Sequence, residues 1–182
     1  PDPGPLPFIQ IGSDGGYLKT SVPLTNITIA PGERADILID FSGLPAGTKV
    51  LLRNTAKAPF PNGATANPQT VGQIMQFTVT GNPGPAPAVL PAVLNPTLTG
   101  LFPNLPAATK TRILTLVEVM GAAGPLEALL NGQKWAAIIT EYPEDGDTEE
   151  WVIVNLTGDT HPIHLHLVQF QLVMRQAINV KK

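Results

Sequence analysis

All three histidines of this 182-residue chain lie within six positions, in the run His161-Pro162-Ile163-His164-Leu165-His166. Imidazole is the commonest side-chain ligand for copper, zinc and iron in proteins. A single buried histidine, or an isolated His-x-His pair, is more often a hydrogen-bonded core residue than a ligand. Three imidazoles this close together, next to a proline and an apolar run, favour a metal site instead.

The spacing of the last two histidines predicts that they act together. Side chains alternate across a β-strand, so His164 and His166 would share a face, with ~6.5 Å between their Cα atoms at a rise of ~3.3 Å per residue. The same parity continues through three apolar residues, Val168, Phe170 and Leu172. We therefore expect a strand here and expect both imidazoles on its buried face.

His161 differs from the pair in parity and in its neighbour. It lies an odd number of residues from both partners and precedes Pro162, which gives no backbone N–H to a sheet. We expect it to point elsewhere, from the loop that precedes the strand. Two ligands on one face and one directed away suit two neighbouring metal centres better than one tetrahedral ion.

The elements that must position these histidines are predicted to be short strands. Ala35, Ile37 and Ile39 alternate with Asp36 and Asp40, which is the period-two pattern of a half-buried strand. Runs rich in β-branched or apolar residues predict further strands over 75–79, 113–120 and 151–155. Pro125 to Leu130 is interpreted as one or two helical turns, and no segment sustains a helical period of 3.6 residues. The chain is expected to be an antiparallel sandwich or barrel.

Composition narrows the class of protein further. The formal net charge is −3, only 14% of residues are charged, and no basic cluster suggests nucleic acid. No apolar stretch of about 20 residues predicts a membrane span. Gly 17 and Pro 20 supply many potential turns, and the chain has no cysteine, so it can form no disulfide.

A proline-rich segment divides the chain. Residues 81–108 contain seven prolines and no charged residue, which favours an extended connector lying against apolar surface. It separates a block over 1–80 from a block over 109–182, and each is smaller than a usual β-sandwich of about 100 residues. Because the chain also begins without a methionine or a signal-type segment, we expect it to be the interior of something longer.

The histidine run and its flanks, Thr160 to Phe170, resemble the third histidine motif of the multicopper oxidases, most closely those of bacterial spore-coat laccases and bilirubin oxidases. The resemblance covers nearly the whole chain, in the family's own order, through 8–16, 30–36 and 74–77 of the second cupredoxin domain and 129–135 and 148–151 of the third. It implies an all-β, cupredoxin-like Greek-key β-sandwich, with 1–80 part of the second domain and 109–182 the N-terminal part of the third.

The resemblance also implies a role for each histidine. His161 would bind the type 1 copper that takes electrons from substrate, His164 the type 2 copper, and His166 one of the paired type 3 coppers. The activity implied is one-electron oxidation of phenolic or aromatic-amine donors, coupled to the reduction of dioxygen to water. Members of this family are often exported or found on spores, but the sequence itself leaves the compartment open.

The chain lacks several copper ligands that the family pattern requires. It lacks the other three histidine motifs and the cysteine whose thiolate a blue copper site requires. We therefore expect a middle piece of an oxidase, complete only with the family's first domain and its C-terminal copper motif.

The sequence leaves two alternatives to a copper oxidase. A non-enzymatic copper-binding or structural cupredoxin module would also fit a chain without cysteine. A zinc or iron β-barrel of the cupin kind also uses His-x-His on a strand. That fold requires a glutamate shortly after the pair and a later histidine, and neither follows His166.

Five other residues are interpreted as structural. Asp159 is interpreted as a turn former, Glu149 and Glu150 as a solvated start of a strand, and Trp135 and Trp151 as sandwich core.

Overall fold

The chain folds into short strands joined by loops and turns. The computed structural model describes residues 4–82, 84, 89–98 and 105–178, and these contain no helix, so none long and apolar enough to cross a membrane. The ten strands are β1 Phe8–Ser13, β2 Gly16–Leu24, β3 Ala35–Ile39, β4 Lys49–Arg53, β5 Lys57–Ala58, β6 Ala64–Thr65, β7 Gln73–Thr78, β8 Lys110–Gly121, β9 Gly124–Leu130 and β10 Glu149–Asn155.

The first seven strands form three small antiparallel sheets. β1 lies between β2 and β3, and its register with both shifts between Gln10 and Gly12. β4 pairs with β7, and the two-residue strands β5 and β6 pair with each other. In β3 the alternation predicted from the sequence is confirmed, since Ala35, Ile37 and Ile39 are half-buried and Asp36 is exposed.

The last three strands form a mixed sheet around β8. β9 pairs with β8 antiparallel, and β10 pairs with it parallel, from Glu149 opposite Lys110 to Asn155 opposite Leu116. A parallel pair needs a long connection between its strands, and residues 131–148 supply it. Leu114, near the middle of β8, is 2% exposed and is the one buried hydrophobic side chain among the described residues.

An ion-pair network joins β8 to β10 at the start of both strands. Arg112, 8% exposed, donates from Nε and Nη2 to the two carboxylate oxygens of Glu149 at 2.6 and 2.8 Å. It also donates to Glu141 at 2.7 Å and lies 5.9 Å from the ring centroid of Trp151. The Trp151 indole N–H donates to Glu149 at 2.7 Å. This two-pronged pairing of guanidinium with carboxylate is the strong geometry for such an interaction.

The network changes the acidity of both partners. The hydrogen bonds that Arg112 donates to Glu149 lower the pKa of this carboxyl from 4.5 to about 2, and the hydrogen bond from Trp151 makes a smaller contribution. The hydrogen bond to Glu149 correspondingly raises the pKa of Arg112 above its ordinary value. The prediction of a solvated strand start was therefore wrong for Glu149, which is 6% exposed, and right for the exposed Glu150.

Two other sequence predictions were wrong in this half of the chain. Pro125 to Leu130 forms a strand, because Pro125, Glu127 and the three residues 128–130 pair with β8 and this pairing outweighs local preference. Trp135 is 101% exposed, so it is not core, whereas Trp151 is half-buried in β10.

The prediction of a strand through His164 and His166 was also wrong. Residues 156–178 form no strand, and both histidines are exposed, as are Val168, Phe170 and Leu172. The physical reason is the absence of a partner, since no other described segment pairs with this backbone and no layer covers its apolar side chains. A period-two pattern produces an apolar face, but that face is buried only when the chain supplies both a pairing strand and a layer that covers it.

Part of the proline-rich segment is hydrogen-bonded to β2 of the first block. The backbone N–H groups of Leu94 and Asn95 donate to the carbonyl oxygen of Lys19 in β2, at 2.8 and 3.4 Å. Positions 83, 85–88 and 99–104 of the connector lie outside the described residues. The division of the chain into two domains stays a prediction.

Candidate metal centre

The three histidines lie in the segment that follows β10. β10 ends at Asn155, and the turn over residues 156–160 leads directly to His161. Asn155 organises this turn: its Oδ1 accepts from the backbone N–H and the hydroxyl of Thr157, and its Nδ2 donates to the carbonyl oxygen of Asp159 at 2.7 Å. Side chains that bond to nearby backbone in this way are typical of turns.

His161 is held at one ring nitrogen by three oxygen-bearing side chains. Its Nε2 lies 2.8 Å from the hydroxyl of Thr157, 3.5 Å from Oδ1 of Asp159 and 3.6 Å from Oε1 of Glu118. Glu118 comes from β8 and is 14% exposed, so β8 and the turn that follows β10 converge on this ring. Potential ligand atoms of Glu118, Asp159 and His161 all lie within 4.8 Å of one another.

His164 and His166 form a second group. Their ring centroids are 4.8 Å apart and their planes meet at 89°. The two imidazoles therefore lie side by side although the backbone is not a strand. No hydrogen bond from another described residue engages either ring, so their nitrogens are accessible to a ligand.

His161 lies apart from the pair, although the strand on which that prediction rested does not form. His161 makes its contacts with β8 and the preceding turn, and the other two rings contact each other. Asn155, Thr157 and Glu118 were not predicted from the sequence to belong to the site. The run Asn155-Leu156-Thr157-Gly158-Asp159 carries a turn signal from which the first two could have been found, but Glu118 reaches His161 only through the sheet.

Contacts with the first block fix the segment at two points. The Thr160 N–H donates to the carbonyl oxygen of Phe60 at 2.8 Å, and the Gln169 side chain donates from Nε2 to the carbonyl oxygen of Gly15 at 2.8 Å. The candidate metal residues are thus attached to both halves of the chain.

The donor chemistry of these residues fits copper in part. Neutral imidazole suits copper, zinc and iron, and three imidazoles are present. A blue copper site also requires a thiolate, and the chain has no cysteine. His161 can therefore supply one ligand of such a site but cannot complete it.

Comparison with known proteins identifies the family. A multicopper oxidase family model matches residues 106–181, which include all three histidines. The chain is 40% identical over 176 residues to the multicopper oxidase LPR1 homolog 5 of Oryza sativa, covering 93% of this chain and 27% of that protein. It is 42% identical over 170 residues to a laccase of Bacillus stratosphericus, covering 93% of this chain and 32% of the laccase.

The structure is similar to a solved member of the same family. The McoA multicopper oxidase of Aquifex aeolicus superposes with a TM-score of 0.64 at 26% identity, over 88% of this chain and 34% of McoA. The chain thus spans about a third of the length of the relatives it matches. Its fold is the cupredoxin-like β-sandwich expected from the sequence, and the chain belongs to the multicopper oxidase family.

Proposed function

We propose that the chain is part of a laccase-like oxidase, which removes single electrons from phenolic or aromatic-amine donors and reduces dioxygen to water. Membership of the multicopper oxidase family supports an oxidoreductase that uses copper. The observation that carries the proposal is the grouping of the histidines, with His161 held by the β8 sheet and the imidazoles of His164 and His166 in contact with each other.

The proposal assigns each imidazole to a copper centre. His161 is a ligand of the type 1 copper, His164 of the type 2 copper, and His166 of one of the paired type 3 coppers. When bound, these ions supply the electron transfer and the oxygen chemistry, which protein side chains cannot perform alone.

The contribution of this chain is to hold and orient three of the ligands. The hydrogen bond with Thr157 fixes the ring of His161, and the two anchors at Phe60 and Gly15 fix the segment that carries the pair. A short, doubly anchored connection keeps the first ligand at a constant distance from the other two. The thiolate and the remaining ligands must come from the rest of the oxidase.

Single substitutions in the full-length oxidase test the assignment. His161→Ala is expected to abolish the blue copper–thiolate absorption while the other coppers are retained. His164→Ala and His166→Ala are expected to keep the blue absorption, which the donor would bleach once by giving one electron to the type 1 copper, but to abolish dioxygen consumption and with it continued donor oxidation. The measurements are copper content, the visible spectrum and oxygen uptake, with Val173→Ala, an exposed position in the same segment, as the control.

Two outcomes would contradict the proposal. If all three alanine variants kept full copper content and oxygen uptake, the histidines would not be copper ligands. If copper were bound but the oxidase reduced no dioxygen with any aromatic donor, the alternative of a non-enzymatic copper-binding or structural cupredoxin module would be preferred.

A further inference from the structure

We infer that Thr157, oriented by Asn155 and flanked by the carboxylates of Glu118 and Asp159, is a positioning residue that fixes the ring of His161 and tunes the copper it binds. The inference rests on the proposed role of His161 as a type 1 copper ligand. None of Asn155, Thr157 and Glu118 is expected to touch the metal.

The hydrogen-bond network determines which atom of His161 carries a hydrogen. Asn155 donates its Nδ2 to the carbonyl oxygen of Asp159, so its Oδ1 faces Thr157. The distance from Thr157 Oγ1 to Asn155 Oδ1 is 2.8 Å. The carbonyl oxygen and Oδ1 of Asp159 lie farther from the same hydroxyl, at 3.1 and 3.3 Å. An amide oxygen has no hydrogen to donate, so we place the single hydroxyl hydrogen of Thr157 in the contact with Asn155, the shortest of the three.

The contact between Thr157 and His161 then has only one consistent polarity. The Oγ1 to Nε2 distance is also 2.8 Å, and the hydroxyl hydrogen is already committed to Asn155. With the hydrogen placed there, the hydroxyl oxygen accepts and Nε2 of His161 donates. The carboxylate oxygens of Asp159 and Glu118, at 3.5 and 3.6 Å, favour a hydrogen on the same nitrogen.

This arrangement leaves Nδ1 as the nitrogen with a free lone pair. No hydrogen bond from a described residue engages Nδ1, so the network orients the ring without blocking that atom. Groups that accept the second N–H of a ligating histidine hold the ring in place and raise its basicity, and their removal typically costs ~10–100-fold in metal affinity or activity.

Glu118 adds an electrostatic effect to the geometric one. Its side chain is 14% exposed, so solvent screens its charge less than it would that of a surface carboxylate. A negative charge near a ligand imidazole stabilises the more highly charged, oxidised copper. Loss of that charge should therefore raise the reduction potential of the type 1 copper.

Thr157 is tested in the full-length, copper-loaded oxidase. Thr157→Val keeps the shape of the side chain but removes the acceptor, and we expect type 1 copper affinity to fall ~10–100-fold. Affinity is measured by competition with a chelator, followed by the blue absorption. Thr157→Ser, which keeps the hydroxyl, should restore the affinity, and Thr111→Val is the matched control because Thr111 is exposed at the far end of β8.

Glu118 is tested by the reduction potential, which a purely structural role would not move in a fixed direction. Glu118→Gln keeps the size and hydrogen-bonding ability of the side chain and should raise the type 1 potential, while the matched Glu150→Gln on β10 should leave it unchanged. Glu118→Gln keeps the inference testable if Thr157→Val fails to fold.

The outcomes separate this inference from the proposed function. If His161→Ala abolishes the blue absorption but Thr157→Val and Glu118→Gln match the wild type in affinity and potential, the positioning role is wrong and the copper role stands. If His161→Ala leaves the blue absorption intact, the copper role itself is wrong.

Discussion

Arg112 shows how a single residue can hold together a sheet with little apolar core. Its guanidinium satisfies two carboxylates and the carbonyl oxygen of Tyr142 while lying against Trp151. Removing one partner of a buried ion pair is costly because the other charge is left without compensation. Arg112 and Glu149 therefore stabilise each other across the parallel pair β8 and β10.

Arg112→Ala is expected to lower the melting temperature of the oxidase by several degrees, because Glu149 and Glu141 would both lose their partner. The measurement is thermal unfolding followed by circular dichroism. Arg34→Ala is the control, since Arg34 forms an exposed pair with Asp14 and such pairs contribute little. Equal melting temperatures for the two variants would show that the network is not stabilising.

The same network predicts a defined pH dependence. A carboxyl whose pKa is lower in the folded chain contributes stability above its unfolded pKa, and that contribution is lost as pH falls through the folded pKa. For Glu149 this interval runs from 4.5 down to about 2. Glu149→Gln should therefore melt several degrees below the wild type at pH 7, and the gap should narrow between these two values.

Melting curves at several pH values between 7 and 2 give the measurement, with Glu150→Gln as a matched control on the same strand. A gap between wild type and Glu149→Gln that stayed constant down to pH 2 would mean that the charge of Glu149 is not what stabilises the sheet.

At the scale of elements, local pattern predicted the strands whose faces alternate clearly or that are rich in β-branched and apolar residues. Alternation identified β3, and β-branched and apolar runs identified β8 and β10. The pattern failed for Pro125 to Leu130, where pairing with β8 decides the conformation, and for the segment after His161, where no partner is described. Whether a segment forms a strand depends on the segment it pairs with, and the local sequence does not show which segment that is.

The candidate site shows the same division between local and long-range information. The three histidines and the separation of His161 from the pair were predicted from spacing. Thr157 belongs to a turn that the local sequence indicates, whereas Glu118 lies 43 positions before His161 and meets it only because β8 lies beside β10. The sequence predicted the candidate ligands but not the side chains that contact His161 in the fold.

The segment from 161 to 178 depends on anchors rather than on sheet pairing. Gln169 donates to the carbonyl oxygen of Gly15, and a Cβ on Gly15 would overlap the end of the Gln169 side chain. Gly15→Ala should therefore displace Gln169 and have the same effect as Gln169→Ala. Because this hydrogen bond is exposed, we expect less than about 1 kcal/mol of lost stability but clearly faster amide exchange in the segment.

Hydrogen exchange of the full-length oxidase, followed by mass spectrometry, measures this effect. The control is Gly84→Ala, since a Cβ at Gly84 meets no described atom. Unchanged exchange around residues 161–178 in both Gly15→Ala and Gln169→Ala would exclude Gln169 as an anchor.

At the scale of the whole molecule, the described chain exposes faces that an independent domain would cover. Leu114 is the one buried hydrophobic side chain among the described residues, while Trp135 and Leu167 are fully exposed. Contiguous exposed apolar surface usually marks an interface. Since the chain spans about a third of the length of its relatives, we propose that other parts of the oxidase cover these faces.

The 182 residues expressed alone are expected to lack a cooperative unfolding transition, because so few apolar groups are shielded from water. The chain should bind the dye ANS strongly and give a broad, shallow melting curve, whereas the full-length oxidase should bind little dye and melt sharply. The two measurements are dye fluorescence and thermal unfolding of both proteins in the same buffer. A sharp transition without dye binding for the isolated chain would show that its sheets bury a sufficient core by themselves, and the dependence on the rest of the oxidase would then be limited to copper.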